Sequence, residues 1–128
     1  MSKLILFFSS FLALIILTPD TSYAQKCKPY DNFIYQQSQI DDFKKNYPGC
    51  KEIDGWLTIT GRDIINLDSL DDIEIFSGGI SINNTSLKNL FPVNLVDSIS
   101  GLIFLNNNEL LENILDFKKI TTLSTLSI

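Results

Sequence analysis

Four carboxylates crowd one short stretch of the chain, at Asp68, Asp71, Asp72 and Glu74. Converging acids can hydrolyse a glycosidic bond, and oxygen donors in sufficient number can hold calcium. Both chemistries need more than closeness in sequence. The chain contains no histidine, which removes the commonest general base, the commonest metal ligand and the side chain that titrates near neutrality. Arg62 is its single arginine. Displaced by 23 residues, the matching positions hold Phe91, Asn94, Leu95 and Asp97, so the acids belong to one turn alone. No EF-hand loop or nonapeptide calcium repeat accompanies them. The expectation is a solvated acidic turn, with no catalytic residue, no metal and no cofactor. A polysaccharide-active enzyme working through Asp71 and Asp72 is the remote alternative.

The other reactive pair is Cys27 and Cys50, the two cysteines of the chain. Two thiols with neither histidine nor further cysteine cannot complete a structural zinc site. An even, minimal count reads as one disulfide, which persists in an oxidising compartment. The N-terminus points to the same place. Lys3 precedes an apolar run over residues 4–17, broken by Pro19 and Asp20, and Ser22-Tyr23-Ala24 follows. That is the three-part pattern of a secretory signal peptide over residues 1–24. Fourteen helical residues would reach about 21 Å, short of the roughly 30 Å of a bilayer core. No membrane span is therefore expected after cleavage. Loss of Lys3 and Asp20 with the leader leaves the net charge at −5, which gives no general attraction for nucleic acid.

The elements that would position these residues fall into two groups. Residues 25–55 read as a disulfide-tied N-terminal cap, polar and irregular over 25–37. A short helix follows from Ser38, with Asp41 at the capping-box position and Ile40, Phe43 and Tyr47 on one stripe; Pro48-Gly49 ends it. Residues 56–128 repeat. Leu57, Ile80, Ile103 and Leu126 are spaced by 23, as are Ile59, Ile82, Leu105 and Ile128. The residue between each pair faces the other way: Thr58, Ser81, Phe104 and Ser127. Ile64, Leu87 and Leu110 recur at the same interval, and Leu67 and Leu90 are followed, one residue late, by Ile114. Alternation at two with a fixed longer period predicts short parallel strands in a mainly β solenoid of about three coils. Each coil would share its core with the next.

Several surface residues stand out on that frame. Trp56, just before the first repeated strand, and Phe104, an aromatic where neighbouring coils carry Thr58 and Ser81, are candidate ligand contacts. Asn83 and Asn106, and Asn84 and Asn107, align at one corner. They read as a structural amide ladder, with left-handed backbone tolerated there.

The stretch from Tyr47 to Ile59, together with Phe43, fits the pattern F-x-x-x-Y-P-G-C-x-x-I-x-G-x-L-x-I at Phe43, Tyr47, Pro48, Gly49, Cys50, Ile53, Gly55, Leu57 and Ile59. It resembles the receptor L-domain-like repeats of secreted bacterial proteins, particularly of the Bacteroidetes, which also carry an upstream cysteine, matched by Cys27. Leucine-rich repeats are close cousins: residues 103–110 fit L-x-L-x-x-N-x-L, while Arg62 and Thr85 depart from it. The resemblance spans about residues 27–128. It implies a right-handed parallel β-helix, no catalysis, and a secreted or cell-surface module that binds a protein or glycan through a flat face. The structural alternative is a spacer or fragment of a longer solenoid, self-associating through the Leu126–Ile128 edge.

Overall fold

The computed structural model of the chain describes residues 25–113 and the strand Leu126–Ser127. The signal segment expected over residues 1–24 lies outside the described residues, as do Ile114 and Ile128. The fold is mostly short strands in two parallel sheets. Strands β1 (Gln25–Cys27), β3 (Cys50–Ile53), β5 (Ile75–Phe76) and β7 (Ser98–Ile99) form the smaller sheet, in that order. Strands β2 (Phe33–Ile34), β4 (Leu57–Thr60), β6 (Ile80–Asn83), β8 (Ile103–Asn106) and β9 (Leu126–Ser127) form the larger. Successive strands from β1 to β8 therefore alternate between sheets; each from β1 to β6 pairs with the strand after next, and β8 pairs with β9.

The register follows from the period. Leu57 stands beside Ile80 and Ile80 beside Ile103, as Ile59 stands beside Ile82 and Ile82 beside Leu105. All six side chains are buried, and they belong to one cluster with Ile53 and Phe76 of the smaller sheet. The two sheets thus turn their apolar sides onto one core. The smaller sheet carries its own column at the same interval, Ile53, Phe76 and Ile99. Further apolar pairs at that spacing, Leu70 with Val93 and Ile73 with Val96, fill the core between the strands.

Three features depart from the sequence reading. Parallel pairing begins earlier than the irregular stretch expected over residues 25–37: β1 pairs with β3, and β2 pairs with β4. Phe33 faces Thr58, an offset of 25 rather than 23, because the first interval also holds the helical turns Gln37–Asp41 and Phe43–Asn46. The helix is not capped by Ser38. It starts after Gln36, and Gln39 Oε1 reaches back to accept from the backbone N–H groups of Gln36 (3.1 Å) and Tyr35 (2.7 Å). An amide acceptor three residues in satisfies the orphan donors as well as a capping glutamate would. Finally, the repeat slips at Leu110, which is exposed, while Leu111 packs against the core.

Cys27 and Cys50 form a disulfide, their Cα atoms 5.9 Å apart, which ties β1 to β3. Such a bond is consistent with an extracellular or periplasmic location. Among the described residues no helix is long and apolar enough to cross a membrane.

Candidate functional site

Alternation places one residue in two of every strand outside the core. Along the larger sheet from β2 to β8 this gives the register column Phe33, Thr58, Ser81 and Phe104. A second column holds Thr60, Asn83 and Asn106. None of these side chains is ionisable, in a chain whose residues are 20% charged. Three strand steps separate Phe33 from Phe104, about 14 Å at the usual spacing.

Aromatic rings stand at both ends of the first column. At one end Phe33 and Tyr35, both exposed, lie with ring centroids 6.1 Å apart. At the other, Trp56 packs on Phe104 with centroids 5.6 Å apart and planes at 44°. Trp56 belongs to the corner before β4, whereas Phe104 sits on β8, two strands on. The indole spans the gap by crossing Gly79, where any Cβ would overlap the ring. Gly79 is buried beneath it, while Trp56 itself keeps 40% of its surface exposed. The corner below is closed by backbone contact, since a Cβ on Gly78 would lie 2.6 Å from Gly55 O. The structure therefore brings together Trp56 and Phe104, two aromatics singled out from the sequence, and sets Tyr35, another aromatic the sequence raises, beside Phe33, which it does not. Phe33 escaped the period because its offset is 25.

Between the aromatic ends the surface is small and polar. Thr58 and Ser81 are half-buried. Asn83 Nδ2 donates to Ser81 Oγ (2.6 Å), which leaves the serine hydroxyl free to donate outward. Asn83 and Asn106 are register partners, and Asn84 and Asn107 both adopt left-handed backbone with φ of 54°. The amide that bridges successive repeats is Asn108. Its Oδ1 accepts from the Thr85 backbone N–H (3.1 Å) and Thr85 Oγ1 (2.6 Å), and its Nδ2 donates to Ile82 O (2.8 Å). The 23-residue match of Thr85 with Asn108 carried that signal. Gln37 has the corresponding role in the first interval, its Oε1 accepting from Ile65 N (2.8 Å).

The acidic turn is engaged differently. Lys44, on the helical turn Phe43–Asn46, reaches Asp71 Oδ1 (2.6 Å) and Asp72 Oδ2 (3.5 Å), while Lys51 reaches Glu74 (3.5 Å). The hydrogen bond from Lys44 holds the Asp71 carboxyl below its ordinary pKa, and the same bond raises that of Lys44. Both groups are exposed. Among the described residues no three metal-ligating side chains gather. The turn is a clamp between the helical segment and the sheet.

No family model, curated protein or solved structure matches the chain.

Proposed function

We propose that the chain is a non-catalytic secreted or cell-surface binding module, wound as a right-handed parallel β-helix of the receptor L-domain type, that presents the outer face of its larger sheet to a protein or glycan ligand. Strands that alternate between two sheets at a fixed interval support the winding. The observation that carries the binding reading is the Trp56–Phe104 pair laid over Gly79. An indole is a large apolar body. Held half-exposed on a flat, uncharged surface, it contributes less to folding than it would buried, and more to a contact. The acidic turn is a weaker candidate, because three of its four carboxylates are paired, Asp71 and Asp72 with Lys44 and Glu74 with Lys51.

The test is a binding screen of the oxidised protein on glycan and protein arrays, repeated with Trp56→Ala and Phe104→Ala. The expected result is at least a tenfold loss of affinity in both variants at an unchanged disulfide and strand content. If both variants bind every captured ligand as well as wild type, the ligand face lies elsewhere.

A further inference from the structure

We propose that the lane across the larger sheet, from the Phe33–Tyr35 pair to the Trp56–Phe104 pair, is a site for an uncharged glycan chain lying along the stacking direction of the strands. The inference rests on the face-binding reading above and names the ligand class.

Three observations converge on that chemistry. First, a pyranose ring has one or two faces of C–H groups and a rim of hydroxyls. It needs flat aromatic surface beneath its face and small hydrogen-bonding groups at its rim. The lane offers both in order: exposed Phe33, then Thr58 and Ser81, then Phe104 with the indole of Trp56. The Ser81 hydroxyl, already accepting from Asn83, has its hydrogen left to donate. Second, the spacing suits an elongated ligand. The aromatic ends stand three strand steps apart, about 14 Å, with only short side chains between them. A compact ligand would meet one end alone, whereas an extended chain of several sugar rings meets both. Third, charge is excluded from the lane but not from the protein. The larger sheet's outward columns are neutral, while the smaller sheet carries the ion pairs Lys26–Glu52 and Lys51–Glu74. An anionic polysaccharide would find no cation in the lane to pair with, and a protein partner's charged rim would find no complement.

The protein carries its own reporter, since Trp56 is the single tryptophan of the chain. The experiment titrates the oxidised protein with cello-, xylo-, manno- and chitohexaose, and with oligogalacturonate as the charged counterpart, following Trp56 emission and confirming by calorimetry. The expected result is a saturable emission change with at least one neutral hexasaccharide, unaffected by 0.5 M salt. Affinity should fall at least tenfold in Phe33→Ala and in Ser81→Arg, which leaves every aromatic ring in place. Circular dichroism melting of each variant separates lost binding from lost fold. No emission or calorimetric response to any neutral hexasaccharide overturns the inference, as does tighter binding of oligogalacturonate. If a protein ligand from the array screen loses affinity in Phe104→Ala while the sugars stay silent, the face-binding reading stands and the glycan assignment falls. If a hexasaccharide binds equally well to wild type, Phe33→Ala and Ser81→Arg, sugars are held elsewhere and the glycan assignment falls, while the face-binding reading is decided separately by Trp56→Ala and Phe104→Ala.

Discussion

The smaller sheet turns Lys26, Glu52, Ile75 and Ser98 outward along one register column; the larger turns Phe33, Thr58, Ser81 and Phe104. Inside, the two are alike: β-branched and leucine side chains at the same interval, plus Phe76, in a shared core. Outside, they differ in kind. Lys26–Glu52, Lys51–Glu74 and Lys28–Asp54 line the smaller sheet and its corner. Lys51–Glu74 and Lys28–Asp54 are exposed and contribute little stability, whereas Glu52 of the first pair is largely buried; all three keep the sheet surface solvated and unattractive to other apolar surfaces. The larger sheet lacks that protection and carries exposed aromatics instead. Folding needs the inner columns of both sheets. The indole over Gly79 keeps 40% of its surface exposed and so contributes less to that core than the inner columns do, which makes the outward difference between the sheets the place to test for a ligand.

The strongest attack on this comparison is at the shared core. Phe76→Ala beneath the smaller sheet should cost about 3–5 kcal/mol, and Ile59→Ala beneath the larger about 2–5 kcal/mol. Both residues are fully buried. Urea unfolding should remain a single transition in each variant, with the midpoint lowered. If one substitution proves neutral, or the transition splits in two, the sheets do not share a core and the comparison loses its common term. Next in size is the covalent tie. The bond between Cys27 and Cys50 closes a separation of 23 residues, and its removal in Cys27→Ser/Cys50→Ser should cost about 3 kcal/mol by loop-closure entropy. The loss should appear first as faster amide exchange in β1, since that strand is an edge held by β3 alone.

Much of the inner architecture was legible in the sequence and less of the outer. The columns through Leu57 and Ile59 declare themselves because burial demands an apolar residue at every repeat. The column Ile53, Phe76 and Ile99 obeys the same interval and was there to be found. What obscured it was mixed residue type, isoleucine and phenylalanine in strands of two to four residues. Phe33 could not be found by period, since the helical insertion shifts its offset to 25. The Trp56–Phe104 contact is also invisible to spacing. The two residues lie 48 apart, and the contact depends on Gly79 lacking a side chain. Asn108 shows the converse. Sequence reasoning assigned the corner to Asn83, Asn84, Asn106 and Asn107, yet the bridging amide is one residue further on, where Thr85 offers two donors.

That glycine gives a sharper test of the outer difference. Gly79→Val places two methyl groups where the indole lies. Overpacking of this kind costs about 1–3 kcal/mol, and a swing of the half-exposed ring into solvent relieves only part of it, because a Cβ there would also lie 2.6 Å from Leu102 O. In that event Trp56 emission should shift to the red and the contact with Phe104 should be lost, while the smaller sheet's exchange protection is untouched. A blue-shifted or unchanged spectrum would mean the ring is not seated over Gly79.

The smallest effect expected is at the clamp between Lys44 and Asp71, and its pH dependence has a definite sign. The carboxyl of Asp71 is held below its ordinary value of 3.8 by the hydrogen bond from Lys44, so its contribution is present above that pH and fades as the pH falls through the lowered folded value. Lys44 is raised above its ordinary 10.5, chiefly by the same bond, so its contribution is present below that pH and fades as the pH rises through the raised folded value. The stability difference between wild type and Lys44→Ala should therefore be flat across neutral pH and shrink at both extremes. Because both side chains are exposed, it should also shrink with added salt. A difference that persists unchanged at pH 2 would mean that Lys44 acts by packing its aliphatic stem on the turn rather than by its charge, and that the acidic turn needs no cation to hold it in place.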